Sequence, residues 1–598
     1  MNTRFNKTLL AILVSSSLLL TACGDDGKDG KDGATGATGP AGPEGPASTP
    51  IPGPSGANGK DGENGIDGAN GKDGEDLTLA PALIRLATIP MGAELTGLYK
   101  TDNGELFFNI QHPSDMLPGD EGKAALGVWN GMDIDTLDPR LEPVAVPVKD
   151  SPESQTTLMA VGTYQALGRA GDTYAGALPF GLGNITNPAG SASILQSVNP
   201  DFNAFIPSNI DGSQGYLFSA WEDRPGGMSR LSLSKQNDGS WRVDDAMNVN
   251  FGNVNGTMIN CFGTVSPWGT PLTSEENYEA ENTLRWNDAT YSTGYPNYAD
   301  VQKIQAYLGG TFPNPYDYGY IVEITQPKSS NPVPVKHFAM GRFAHENPVI
   351  MPDKKTVYLT DDGSNKAFYK FVADSKGDLS AGTLYAAKLT QDATRSTAKA
   401  GFDIEWIELA HGNNAEIESW IDTYDTIDET DYVEGSTSYI SDADVTAWAN
   451  GTAPDNRVAF LETLRAAKAK GATVEFNKME GININYQGVK NKSIPFMYVA
   501  ISDARGAMSD TTGDIQITEN RCGVVYRFGL DADYNVDRME PVVIGGTYTG
   551  SSTTDKCDVN GIAQPDNIIV MKDGRVLIGE DTSNHVNNML WVYNPQGL

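Results

Sequence analysis

Two stretches far apart in the chain are built on one plan. "VYLTDDGSNKAFYKFV" and "VLIGEDTSNHVNNMLWVY" each run as an apolar strand ending in acids, a polar loop, and a second strand rich in aromatics. "MYVAISDARG…CGVVYRF" follows the same plan with a longer loop. Alternating, β-branched and aromatic residues bounded by Gly, Asp, Asn and Pro mark strands. "ELFFNIQ", "GYLFSAW", "GYIVEIT" and "FMYVAISD" are further examples. Self-similarity of this kind points to a β-propeller in which each unit supplies part of a blade. The expected fold is all-β with a few decorating helices, formed by residues 77–598.

Two segments read as helices. "YADVQKIQAYLGG" ends at Gly309-Gly310, a C-cap signal. "DNRVAFLETLRAAKAKG" runs from a capping Asp455 to Gly471, with Val458, Leu461 and Leu464 on one side, as a helix packed on a larger body would. The acidic region from Gly401 to Gly451 reads as an insertion.

The chain begins with a different texture. Arg4 and Lys7 precede an apolar run from Leu9 to Leu20 that is too short to span a bilayer and suits a signal peptide over residues 1–22. Leu20-Thr21-Ala22-Cys23 resembles a bacterial lipobox, which implies acylation of Cys23. Gly24 in place of an acid then favours sorting to the outer membrane or surface of a Gram-negative cell. From Gly24 a glycine recurs at every third place through Gly45, and a second run goes from Gly53 to Gly74. The crowded axis of a collagen triple helix requires that period, and a disordered tether tolerates it. Residues 23–76 are therefore a lipidated, collagen-like or extended spacer. A formed triple helix would make the protein a homotrimer.

With 43 basic and 77 acidic residues the net charge is −34. That balance excludes binding to nucleic-acid backbones and suits hard cations held on carboxylates. Cys23 aside, the cysteines are Cys261, Cys522 and Cys557. Cys522 and Cys557 are near enough in sequence to form a disulfide, which leaves Cys261 as a single thiol in an oxidising compartment.

Phosphate-loop, nucleophile-elbow and zincin motifs are missing, and five histidines are too few for a histidine-rich two-metal hydrolase. Carboxylates at strand ends are the positive signal: Glu275, Glu276, Glu346, Asp361, Asp362, Glu480, Asp566, Glu580 and Asp581. Strand ends of different blades converge at a propeller's channel. Acids gathered there repel one another unless cations hold them, and calcium with its six to eight oxygen ligands fits.

These residues also carry a family resemblance. "NCFGTVSPWGTPLTSEE", "GYIVEI", "GRFAHE", "GTLYAAKL", "MEGI", "YVAISDA", "CGVVYRF", "PDNI" and "LIGED" occur in order from Asn260 to Asp581 and resemble the PhoX-type alkaline phosphatases. The resemblance implies a six-bladed β-propeller with iron (Fe3+) and calcium (Ca2+) in its channel, hydrolysing small phosphate monoesters. It implies that Cys261 is a thiolate ligand to iron. It also implies that Glu276, Glu346, Glu480 and Glu580 bind metal, with Glu275 and Asp362 beside them. Thiolate suits iron and carboxylate suits calcium.

Three departures bear on the phosphate. Ser274 stands where relatives have cysteine, and Lys478 stands where the pattern has arginine, so the bidentate fork is lost. Nothing basic lies between Arg242 and Cys261. The expected catalytic cations are accordingly Lys478 and, from another loop, Arg342. The competing expectation is a collagen-stalked surface-binding protein whose propeller holds structural calcium without catalysis.

Overall fold

The structure, a computed structural model, describes residues 82–595 except 115, 175–177, 277–282 and 295. The expected signal peptide, lipidated Cys23, glycine-periodic spacer and the trimer that rests on it lie outside the described residues. Residues from Ala80 onward form one compact unit.

That unit is a six-bladed propeller. Blade 1 is Glu94–Lys100, Leu106–Gln111, Ala125–Asn130 and Thr163–Arg169. Blade 2 is Pro200–Pro207, Gln214–Trp221, Gly227–Lys235 and Trp241–Asn248. Blade 3 is Asn260–Val265, Pro271–Glu275, Ile321–Thr325 and Val333–Lys336. Blade 4 runs from His345–Ile350 through Thr356–Asp361 and Tyr369–Ser375 to Asp378–Gln391. Blade 5 is Met479–Ile484, Phe496–Ile501, Val524–Gly529 and Arg538–Ile544. Blade 6 is Pro565–Val570, Val576–Glu580 and Met589–Tyr593, completed by Leu83–Thr88 from the other end of the chain. That borrowed strand pairs antiparallel with Met589–Tyr593 and closes the ring. The first strand of each blade neighbours the first strands of the blades on either side, so six inner strands enclose one channel.

Six apolar clusters fill the six spaces between blades. Phe107 and Val128 meet Phe205 and Leu217 between blades 1 and 2, and Phe202 and Phe218 meet Phe262 and Val322 between blades 2 and 3. Tyr358 and Phe368 meet Val499 and Tyr526 between blades 4 and 5. Each such buried side chain contributes about 2 kcal/mol. Alternation along a strand sends successive side chains into the spaces on its two sides, which is why these strands are apolar on both faces.

Helix Tyr298–Tyr307 forms where expected, with Asn297 in a capping box and Gly309 and Gly310 at positive φ of 70° and 102°. The segment from Asp455 to Gly471 departs from expectation: it is two short helices, Arg457–Leu461 and Thr463–Ala469, broken at Glu462. Glu462 is buried, accepts the Tyr316 hydroxyl at 2.9 Å and pairs with Arg465 at 3.3 Å, and those partners hold its backbone out of the helix. The acidic insertion also differs from expectation. It begins as strand Phe402–Asn413, which extends blade 4 and meets blade 5 at Phe402↔Met539. Only then does it turn into helices, whose Trp420, Val445 and Trp448 join the core between blades 3 and 4.

Candidate metal centre in the propeller channel

Each blade places its channel residues by the same register. The second residue of the inner strand is Asp201, Cys261, Glu346, Glu480 and Asp566 in blades 2 to 6. All five are buried. A β-bulge sits at each of these places. In blades 4, 5 and 6 the pairs Glu346-Asn347, Glu480-Gly481 and Asp566-Asn567 stand opposite a single residue of the next strand. In blade 2 Asp201 is itself the extra residue between Pro200 and Phe202, and in blade 3 the shift follows Cys261. Bulges bend a strand and re-aim a side chain, which is what five neighbouring blades need to point at one volume. Blade 1 pairs regularly through Glu94, Leu95 and Thr96, and there Glu94, a residue earlier, reaches the cluster.

A second tier comes from the next strand. The residue that follows the partner of the inner strand's first residue is His112, Glu222, Glu276, Asp362, Ser502 and Asp581 in blades 1 to 6. The two tiers interlock. Ligand atoms of Asp201, Glu222 and Cys261 lie within 4.8 Å of one another, as do those of Cys261, Glu276 and Glu346 and those of Glu346, Glu480 and Asp566. The Cys261 thiol donates to Asp201 Oδ2 at 2.7 Å. Gln111 donates to Glu222 Oε2 at 3.1 Å, and Ser502 Oγ donates to Glu480 Oε1 at 2.7 Å. Lys478 Nζ contacts Asp362 Oδ2 at 2.7 Å and lies 3.7 Å from Glu480 Oε1.

Burial, then the neighbouring acids Asp566, Glu480 and Glu276, push the Glu346 carboxyl well above its ordinary value. Glu276 and Asp566 are raised in the same way, burial first. Burial and the Asp362 charge raise Glu480 to about 8, and burial raises Asp201 to about 6. Burial is the largest influence on Asp362 and opposes its ionisation, but the Lys478 ammonium together with hydrogen bonds from Glu276, Lys478 and the Gly363 N–H holds that carboxyl below the usual range. A cluster like this keeps its charge only when cations compensate it.

Glu346 Oε2, Asp362 Oδ1 and Asp566 Oδ1 are buried without a hydrogen-bond partner. Bare buried carboxylate oxygens grouped with one thiol are the donor set of a mixed soft and hard metal site, so the residues fit the iron and calcium that the family resemblance implies.

The expected residues divide. Cys261, Glu276, Glu346, Asp362, Glu480 and Lys478 are brought together in the channel. Glu275 and Glu580 are not, a correction to the expected ligand set. Glu275 accepts from Met258 N, Gly319 N and Tyr320 N and pairs with Lys336 at 3.1 Å. Glu580 accepts from Ala563 N, Met589 N, Trp591 Nε1 and His585 Nδ1. Each is the first of two adjacent acids, and alternation turns it away from the channel that the second one faces. Arg342 is also elsewhere: its guanidinium donates to Tyr318 O, Leu461 O and Thr283 Oγ1 and stacks on Tyr316, which ties blade 4 to the helical insertion.

Glu94, His112, Asp201 and Glu222 were not among the expected site residues, and Asp566 and Asp581 were expected only as strand-end acids, outside the ligand set that the resemblance implies. The signal was present: Pro200-Asp201 repeats Pro565-Asp566, and Trp221-Glu222 stands where Glu580-Asp581 does. Cys522 and Cys557 form a disulfide with Cα atoms 6.0 Å apart, which leaves Cys261 as the one cysteine outside a disulfide among the described residues.

Fold and site together define a β-propeller whose channel gathers buried acids and one thiol at a spacing that could hold metal ions. A comparison with protein families takes this further: the family described as "Alkaline phosphatase PhoX" matches residues 224–597. The chain belongs to that family, whose members are phosphoric monoester hydrolases. Among curated proteins none matches. Among solved structures, Pseudomonas fluorescens PhoX in complex with vanadate, a transition state analogue, is 18% identical, covering 86% of this chain and 88% of that one at a TM-score of 0.49. A glucose dehydrogenase is 9% identical with coverages of 86% and 99% and a TM-score of 0.33. A luciferin-regenerating enzyme is 10% identical with coverages of 86% and 96% and a TM-score of 0.34. None of the three carries the assignment, which rests on the match of residues 224–597.

Proposed function

We propose that this chain is an exported, surface-anchored phosphomonoesterase that holds iron and calcium in its channel and releases phosphate from small phosphate esters. The observation that carries the reading is the two-tier cluster, in which the Cys261 thiol is grouped with buried acids and the carboxylate oxygens Glu346 Oε2, Asp362 Oδ1 and Asp566 Oδ1 lack hydrogen-bond partners. Cys261 and Glu276 with Glu346 would hold the softer ion, and Glu346 with Glu480 and Asp566 the harder one. The chemistry that cations supply there is Lewis-acid polarisation of a phosphoryl group and neutralisation of the charge developing on it.

The protein's own groups position and enclose. Ser502 fixes Glu480 and Gln111 fixes Glu222, each through one hydrogen bond, so the carboxylates need not reorganise when substrate arrives. Lys478, propped by Asp362 and 17% exposed, offers an ammonium to the substrate anion at the open side of the cluster. The lipobox-like start and the glycine-periodic spacer support a lipid-anchored enzyme held away from the outer membrane, and a triple-helical spacer would make it a trimer.

Elemental analysis of the purified protein, paired with a p-nitrophenyl phosphate assay in calcium and in chelator, tests the reading. Iron and calcium with chelator-sensitive turnover support it. Calcium without iron and no turnover would instead favour a binding propeller, a reading to which the structural engagement of Arg342 lends weight.

A further inference from the structure

Blade 1 breaks the acidic pattern of the second tier. The equivalent residues of blades 2, 3, 4 and 6 are Glu222, Glu276, Asp362 and Asp581, and blade 5 has Ser502. In blade 1 the residue is His112, the one base among the six. Its backbone adopts φ 30°, a conformation rare outside glycine, and its N–H is held by Val198 O at 3.0 Å. Strained positions held this way gather at functional sites.

His112 also differs from the buried histidine of the neighbouring tier. His345 is fully enclosed and bonds Gly341 O, which is structural work. The His112 side chain is 22% exposed, with Nε2 2.9 Å from Glu94 Oε2. Asp201 and Asp581 lie within its electrostatic reach. Two other bases share this arrangement: Lys478 on Asp362, and Arg505, 25% exposed, with Nε 2.6 Å from Asp503 Oδ2. Lys478 and Arg505 belong to blade 5 and His112 to blade 1, the two neighbours of blade 6 in the ring. His112 and Lys478 thus reach the same blade 6 acid, Asp581, from blades 1 and 5, and Lys478 also touches Asp362 of blade 4.

We propose that His112 is a substrate-phosphate contact contributed by blade 1, donating a hydrogen bond to the anion from the open side of the cluster and forming a rim with Lys478. The proposal rests on the phosphomonoesterase reading. A charge-assisted hydrogen bond to a phosphate oxygen takes the place of part of the arginine fork that this chain lacks. His112 lies outside the matched residues 224–597, so the family match assigns it nothing.

The test uses the full chain as purified with its metals, and three variants: His112→Ala, His112→Gln and His112→Asp. KM and kcat for p-nitrophenyl phosphate, inhibition by inorganic phosphate, and iron and calcium content are measured on each. His112→Ala is expected to raise KM and the phosphate inhibition constant about ten-fold, with a smaller change in kcat and wild-type metal content. His112→Gln, which keeps a donor, recovers most of that loss, and His112→Asp binds phosphate more weakly than His112→Ala. An unchanged KM in His112→Ala overturns the proposal. So does loss of metal in His112→Ala, or His112→Asp outperforming it, since either would make the position a cation ligand. Should the wild type hydrolyse no phosphate ester, the phosphomonoesterase reading fails separately. Calorimetric titration of inorganic phosphate then decides the assignment: about ten-fold weaker binding to His112→Ala sustains it, and equal affinity ends it.

Discussion

Glu580 and Asp581 are adjacent, both acidic, and engaged in opposite work. Glu580 belongs to the channel wall, where two backbone amides, an indole and an imidazole donate to it. Asp581 belongs to the channel, where burial and another acid, Glu94, push its carboxyl well above the ordinary value. The same division separates Glu275 from Glu276. Wall acids are charges that the fold itself satisfies. Channel acids are buried against one another across one shared volume, and the difference is one residue of register.

The comparison breaks most sharply on activity. Glu346→Gln removes the acid shared by two of the three ligand groups. Turnover of p-nitrophenyl phosphate should fall by about 100-fold or more, with loss of bound metal and a metal-free melting temperature at or above wild type. Retained iron and turnover would show that the channel acids do not form the centre.

Glu580→Ala should do the reverse. Removing a buried acceptor of four donors leaves those donors unsatisfied, at a cost of about 3 kcal/mol or more in stability by urea unfolding. A variant as stable as wild type but poor in metal would return Glu580 to the ligand set.

How much of this was legible in the sequence follows from the same distinction. Strands, propeller and strand-end acids are local patterns, whereas the choice of Cys261, Glu276, Glu346 and Glu480 came with the family resemblance, and the structure groups those four in the channel. Choosing between Glu580 and Asp581 requires the bulge at Asp566-Asn567, which exists only once blade 6 has paired. Glu462 looks like an ordinary helix residue until Tyr316, 146 positions earlier in the chain, claims its carboxylate. Arg342 looked free for substrate for the same reason: its acceptors are carbonyls of distant segments. Blade 2's Asp201 and Glu222 were missed because the motifs that anchored the reading began only at Asn260.

Removing metal should expose the channel's stored repulsion as a pH effect. Glu480 titrates near about 8 and Asp201 near about 6 in the fold, whereas unfolded carboxyls titrate near about 4. Between those values the folded protein holds protons that the unfolded chain has released. The stability these two groups contribute is therefore fully present below about pH 4 and is lost as pH rises toward about 8. In chelator the melting temperature should fall from about pH 5 to about pH 8.5, and calcium should flatten that slope. A melting temperature that climbs with pH in chelator would contradict the cluster's electrostatics.

Gly481 sharpens the comparison on the side of the backbone. At this bulge a Cβ would stand 2.6 Å from Asp566 O on the neighbouring inner strand. Blades 5 and 6 approach this closely exactly where Glu480 and Asp566 must share one volume with Glu346, so the missing side chain serves the channel. Backbone cannot yield as a flexible side chain would. Gly481→Ala should therefore cost about 1–3 kcal/mol of stability and separate the two acids enough to weaken metal binding. Wild-type metal content in a stable Gly481→Ala protein would mean that the centre tolerates looser blades.

The smallest effect concerns Lys478, where channel and wall meet in one side chain. Its backbone holds φ 54° and its ammonium leans on Asp362, so part of its charge is spent on the cluster and part is offered to the opening. An arginine there could keep one nitrogen on Asp362 and present a second to phosphate, which an ammonium does as a single point of charge. Lys478→Arg should lower KM for p-nitrophenyl phosphate by about three-fold without altering metal content, and Lys478→Met should raise it. If Lys478→Arg instead loses metal, the residue's main duty is to hold Asp362 in its ionised form, and the phosphate is met by the opposite end of the rim.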